Sequence, residues 1–341
     1  MRKLLVAAVG LVGLTAVWWL TPGEVPLAGS GPRLTVTLQR DWPDAESPAR
    51  EAAFSPDGAL LATSNAAGDV TLRQTPDWHA VRRLRVPGGV TSVAFASDGT
   101  TLFTAGYDGI VRSWHVADGR LADQFKEATG TIWSLDVRPD GSEVAAAGED
   151  GLIRLWSPET RAVRILKGHE RNIWEVHYSP DGKTLASAGF DKTARLWREG
   201  SQPRLLRGHG EAVVGMDLSP DGRLIATGSD DSTLRLWQTD TGQPIRTIDA
   251  KNHVYGVEFS SDGRWLLTAG RARDGAGTLW HQLTGLGGKA TPVHLWRVSD
   301  GAAVAALPHP DDVMYATFSP DMRHVVTSGE KGVRLWRLEK R

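Results

Sequence analysis

Gly208-His209, Met216-Asp217-Leu218-Ser219-Pro220-Asp221-Gly222, Ile225-Ala226-Thr227-Gly228-Ser229-Asp230-Asp231 and Leu234-Arg235-Leu236-Trp237 follow one another in a single stretch of the chain. Short apolar runs alternate there with a Ser-Pro-Asp-Gly turn and with small polar clusters, the pattern of strands joined by tight turns. Four strands fit it: a at 213–218, b at 224–228, c at 233–237 and d at 244–248.

Versions of this unit fill most of the sequence. The turn aspartate recurs as Asp57, Asp98, Asp140, Asp181, Asp221, Asp262 and Asp321, at spacings of 41, 42, 41, 40, 41 and 59 residues. That makes seven units, the sixth carrying an insertion. A four-stranded sheet of this size cannot bury both faces alone, so the units are expected to pack radially on one another as the blades of a propeller. The last unit supplies three strands, whereas 33–40 alternates like a strand and has no partner in the first unit. It is expected to pair as strand d of the seventh blade, closing the ring and covering an open edge.

The totals agree with a globular protein. There are 341 residues, 38 Gly and 18 Pro, and the hydrophobic content is 40%. Lys plus Arg (39) nearly balances Asp plus Glu (40), which argues against a broad nucleic-acid footprint. Cysteine is absent, excluding disulfides, thiolate metal sites and a cysteine nucleophile.

Gly168-His169, Gly208-His209, the Ser-Pro-Asp-Gly turns and the Leu-Trp endings at Trp156, Trp197, Trp237, Trp296 and Trp336 resemble the WD40 repeat family over about 33–341. The departure is that no strand-ending Trp is followed by Asp; Ser157, Arg198, Gln238, Arg297 and Arg337 stand there. The resemblance implies an all-β, seven-bladed propeller. It also implies that His169, Ser187, Asp191 and Trp197, repeated as His209, Thr227, Asp231 and Trp237, form a hydrogen-bond brace within a blade. Taken alone, histidine, serine and aspartate suggest a catalytic triad, but an enzyme needs one site and a scaffold needs the same brace many times. The blades of Trp114 and Trp156 lack the histidine. The first ends at Gln74 in place of Trp and is expected to be the weak point.

No P-loop, H-E-x-x-H helix, EF-hand loop or G-x-S-x-G elbow is present. His281 and His294 flank the insertion without a nearby carboxylate, so no metal and no cofactor are expected.

In strand a, apolar residues stand eight, five and three positions before the turn Asp, as in Ile132, Leu135 and Val137. Five to three is strand period and eight to five is not, which predicts a β-bulge re-aiming the residue seven before the Asp. Those residues are Arg50, Thr91, Trp133, Trp174, Val214, Tyr255 and Met314. They fall beside the d–a loops, on the face that also carries the b–c loops. The resemblance makes them, with Tyr107, Glu149, Phe190 and Asp230, candidate partner contacts. Trp133, Trp174, Tyr255, Met314, Tyr107 and Phe190 are expected to form an aromatic and apolar surface suited to a protein or peptide partner. The insertion, 270–292, rises on the same face and adds Arg271 and Trp280. The competing reading is an enzyme or small-ligand sensor using the channel mouth.

Residues 1–20 read as a signal anchor or a signal peptide. Met1-Arg2-Lys3 precedes seventeen uncharged residues, Leu4 through Leu20, ending in Trp18-Trp19-Leu20. The two tryptophans suit the far interface of an uncleaved transmembrane helix. A cleaved signal peptide stays open, although Pro26-Leu27-Ala28 is a poor cleavage pattern. Arg2 and Lys3 are expected to hold the N-terminus in the cytoplasm and place the propeller outside it. A Pro- and Gly-rich linker, 21–32, reaches at most about 40 Å.

Overall fold

At the a–b turn of the fifth unit, Ser219 Oγ donates to Asp221 Oδ1 at 2.6 Å and accepts from Leu224 N at 2.9 Å. Asp221 Oδ1 also accepts from Arg223 N at 3.0 Å. Pro220 presets the turn and Gly222 takes a φ of +69°, which costs a glycine little. Ser179 with Asp181 and Ser319 with Asp321 repeat the serine–aspartate bond at 2.6 Å. The recurring tetrapeptide is thus a self-bonded hairpin turn that sets the register of two strands.

The computed structural model describes residues 34–43, 47–75, 77–126, 128–271, 293–309 and 311–340. Their strands form seven four-stranded antiparallel sheets. Strands a to d of blade 5 are Val213–Leu218, Leu224–Ser229, Thr233–Gln238 and Pro244–Asp249. Blades 1 to 7 span 49–85, 92–126, 132–166, 173–207, 213–249, 253–307 and 313–340, and strand Leu34–Pro43 completes the seventh. It pairs antiparallel with Gly332–Lys340, so the ring is closed by the N-terminal strand. No helix among the described residues is long and apolar enough to cross a membrane. The segment 1–20, the linker and 272–292 of the insertion, with Trp280, lie outside the described residues.

The core sits between blades. Seven buried apolar clusters fill the seven junctions, as where Ala186, Leu196 and Leu206 of blade 4 meet Val213, Met216, Ile225 and Trp237 of blade 5. Blade 1 lacks the strand-ending Trp, but the expected gap is filled from elsewhere. Trp78, four residues past Gln74, turns back at a φ of +66° and buries its ring against His324, 5.1 Å between centroids, in the cluster joining blades 7 and 1.

The bulge falls where the spacing predicts. Register slips between Ile132 and Ser134, Ile173 and Glu175, Val213 and Gly215, Val254 and Gly256, and Val313 and Tyr315, leaving the residue seven before the Asp out of the ladder. Blade 1 slips between Ala49 and Ala52, so Arg50 and Glu51 share the bulge. In blade 2 strand a starts at Ser92, just past Thr91.

Strand a also supplies a belt around the central channel that the apolar spacing does not reveal. Val93 N donates to Glu51 at 2.8 Å, Leu135 N to Ser92 at 3.1 Å, Tyr178 N to Asp136 at 2.6 Å, Phe259 N to Asp217 at 2.6 Å and Phe318 N to Glu258 at 3.0 Å. Met216 N donates to Glu175. Each bond joins one blade to the next, so side-chain oxygens tie six consecutive junctions.

Burial outweighs these hydrogen bonds in setting the acidities. Glu51, Asp136 and Asp217 are pushed up to about 7 and Glu258 to about 8, and Glu175 lies well above its usual value. His177 stands among them, 3.9 Å from Glu175 and 4.0 Å from Asp136, and burial pushes it down to about 4. A carboxyl whose folded pKa is raised keeps its proton after the unfolded chain has lost it, so stability falls as pH rises toward the folded value. The depressed histidines, His177 with His209, His294, His309 and His324, give the opposite slope, which is spent only once the unfolded chain has lost its histidine protons, about one pH unit above 6.5. The melting temperature is therefore expected to fall as pH approaches 8, where the histidine slope is spent and the most strongly raised channel carboxyls, Glu258 and Glu175, still release protons. Asp217→Asn with Glu258→Gln is expected to flatten that fall. A level or rising melting temperature there contradicts the belt's protonation.

Candidate functional site

The d–a and b–c loops share one face, on which two sets of singled-out residues meet. The first is the histidine brace. His169 Nδ1 lies 2.9 Å from Asp191 and its Nε2 lies 2.7 Å from Ser187, while Trp197 Nε1 donates to Ser187 at 2.8 Å. Blade 5 repeats the arrangement: His209 lies 2.9 Å from Asp231 and 2.8 Å from Thr227, and Trp237 donates to Thr227 at 2.8 Å. Burial alone would raise Asp191, but His169 and Thr193 bond to it and hold it well below the usual carboxylate range. Asp231 is likewise lowered, to about 2.

The distances are those of an Asp-His-Ser relay, yet the His169 side chain and Ser187 have 0% of their surface exposed, and Ser187 already accepts from Trp197. No substrate reaches either group. What the relay does is fasten the d–a loop to strands b and c.

Bracing elsewhere is improvised. In blades 2 and 3, which lack the histidine, the strand-c arginine holds the aspartate alone, Arg112 on Asp108 at 2.6 Å and Arg154 on Asp150 at 2.8 Å, whereas in blade 4 Arg195 bonds Asp191 at 3.1 Å beside His169. In blade 7 His309, which the Gly-His pattern does not pick out because Pro308 precedes it, bonds Asp311 of its own loop. Blade 3 leaves a donor orphaned: Trp156 Nε1 is buried without a partner, since Ala146 stands where blade 4 has Ser187. Ala146→Ser is expected to raise stability by about 1 kcal/mol by supplying the acceptor. Urea unfolding checks this, and an unchanged or lower midpoint contradicts it.

The second set is aromatic. Trp133 and Trp174, neighbours across blades 3 and 4, stack with centroids 4.9 Å apart and 18° between planes. Tyr107 of blade 2 meets Trp133 edge-on at 6.0 Å, and Phe190 of blade 4 leans on Trp174 at 5.7 Å. Beyond Tyr107, the Arg50 guanidinium of blade 1 lies 5.8 Å from its ring centre. One continuous run, Arg50, Tyr107, Trp133, Trp174, Phe190, thus spans four blades. Each is half-buried, packed edge to neighbour with surface left outward. Met314 and Tyr315 join Arg50, Trp133 and Trp174 around a small hollow at the channel mouth. The Tyr315 hydroxyl donates from there to Glu175 at 3.2 Å.

Tyr255 and Arg271 stand apart from this run. Tyr255 stacks on His253 at 6.4 Å and bonds Arg271, which also reaches Asp312 at 3.5 Å. His253 in turn lies 3.3 Å from Asp230. This is a polar cluster beside an aromatic run, and the seven-before-Asp rule places residues in both. Among the described residues no group of three or more His, Asp or Glu is arranged to hold a metal ion.

A family model described as WD domain, G-beta repeat matches residues 78–115, 119–157, 160–198, 200–238, 242–281 and 302–337. Strands a to c of blade 1, which end at Gln74, fall outside those matches. No curated protein matches the chain.

Proposed function

This chain belongs to the WD40 family, and from that premise we propose that it is a non-catalytic scaffold that docks a protein or peptide on the aromatic run of its loop face. WD40 propellers typically bind proteins or peptides and are generally non-catalytic. The observation that carries the finer reading is the continuity of Tyr107, Trp133, Trp174 and Phe190. Each belongs to a different loop or bulge, and the seven core clusters are complete without them. Large rigid aromatics with one side outward supply contact area at low entropic cost, as binding hot spots do.

The propeller is proposed to act outside the cytoplasm, tethered through 1–20. The charge asymmetry about the apolar segment supports this. Strand Leu34–Pro43 enters from the face of the a–b and c–d turns, so the linker arrives there and leaves the aromatic face pointing away from the bilayer. A photo-crosslinking amino acid at Phe190 is expected to capture a partner in intact cells. The same group at Arg223, on the opposite face, is expected to capture none.

A further inference from the structure

At four of the seven inter-blade junctions on the turn face, a strand-d side chain bonds across the seam. The arginine of strand d that pairs with the Leu of strand c reaches the next blade's c–d turn. Arg82 donates to the carbonyls of Asp118 and Ala117 at 2.7 and 2.6 Å, Arg204 to Thr241 at 2.8 Å and Arg246 to Ser299 at 3.2 Å. A turn glycine lets each approach: a Cβ on Gly119, Gly242 or Gly301 would lie 2.7, 2.8 or 2.7 Å from the arginine Cδ. Between blades 2 and 3, Asp123 pairs with Arg161 instead.

The seam between blades 3 and 4 is open. Arg164 holds the same register, opposite Leu155, but donates to Glu143 of its own blade at 2.9 and 3.3 Å. The facing turn, Arg198-Glu199-Gly200-Ser201, carries its glycine two residues nearer the Trp, and a Cβ on Gly200 would meet nothing within 4 Å. A cleft of about 450 Å³ results, within the range of small-molecule sites. Its buried wall is apolar, with Leu155, Leu185 and Trp197. Its charged lining has four cations, Arg138, Arg164, Lys183 and Arg198, and two carboxylates, Glu143 and Glu199, while Asp240 pairs with Arg198 from the next blade at 2.9 Å. Arg138 Nε is buried with no hydrogen-bond acceptor, the Asp140 carboxylate lying 3.5 Å away, and Arg138 Nη1 lies 3.7 Å from Glu143. Lys183 reaches only Asp181, at 3.9 Å.

The geometry points to a ligand site in this cleft for a small anionic amphiphile, its carboxylate on Arg138 and Arg164 and its apolar body against Leu155, Leu185 and Trp197. Glu143 already holds the place of such a carboxylate, accepting from Arg164 and, at 3.1 Å, from the Tyr178 hydroxyl. A ligand competes with it for Arg164.

The test is calorimetric titration of the purified full-length chain with decanoate below its micellar concentration, beside decyltrimethylammonium. Decanoate is expected to bind saturably at one site and the cationic analogue not to. Arg138→Gln with Arg164→Gln is expected to weaken decanoate by about a hundredfold or more, the loss of two charge-assisted contacts. Glu143→Gln is expected to tighten it by freeing Arg164, and Trp133→Ala on the other face to leave it unchanged. Ser201→Trp, which fills the cleft from an exposed turn, is a second blocking variant should the double substitution disturb folding. Absence of saturable decanoate binding, equal binding of the cationic analogue, or affinity unmoved by both blocking variants overturns the site.

Discussion

Deleting residues 34–43 is expected to leave no stably folded ring. The strand pairs with Gly332–Lys340 at nine positions, from Leu34 opposite Lys340 to Pro43 opposite Gly332. Leu34 and Val36 are buried in the cluster that also holds Trp336 and Leu338. Trp42 packs on Trp78 at 6.3 Å and carries the Arg73 guanidinium at 4.7 Å, so the strand also supports the junction with blade 1. Burying two aliphatic side chains contributes roughly 1.5–3 kcal/mol each, and each ladder bond about 1 kcal/mol net. Ordering the ten residues offsets much of that, but the loss falls on the strand pair that closes the ring. The truncated chain also exposes an unpaired edge at Gly332–Lys340, which favours aggregation. Thermal unfolding and size-exclusion chromatography are expected to give an aggregated product or a melting temperature lower by about 10 °C or more. A monodisperse truncation melting with the full-length chain contradicts closure by this strand.

The second large effect is on binding rather than folding. Trp133 and Trp174 are bulge residues outside the inter-blade clusters, each half-buried and stacked mainly on the other. Truncating both to Ala removes the middle of the aromatic run and leaves the ladders of strand a intact. Hot-spot tryptophans contribute about 2 kcal/mol or more each on truncation, so losing two is expected to reduce partner affinity about a thousandfold, below capture. The melting temperature is expected to change far less than on removing the closing strand.

Much of this was legible before any coordinates. The turn aspartates gave seven blades, and the misfit between the apolar residues eight and five before each Asp located the bulge at Trp133 and Trp174. The closing strand was legible as 33–40 from its alternation. Its pairing continues to Pro43 because a bulge between Leu38 and Arg40 restores the register. Three features were hidden for physical reasons. Trp78 fills the gap left by Gln74 through a backbone turn that residue spacing does not encode. The channel carboxylates escape the apolar spacing because strand a borders the channel, so polar residues six and four before the Asp face neither a core nor bulk solvent. The stacking of Trp133 on Trp174, and the separation of Tyr255 from them, depend on contacts between blades, which a repeat read one copy at a time does not contain.

Docking of a partner on the run through Trp133 and Trp174 is tested most directly by photo-crosslinking in intact cells from Phe190, comparing the unaltered chain with Trp133→Ala/Trp174→Ala at matched expression and melting temperature. A discrete adduct from the unaltered chain that is lost in the double variant is the expected result; an adduct of the same size and yield in both contradicts the account.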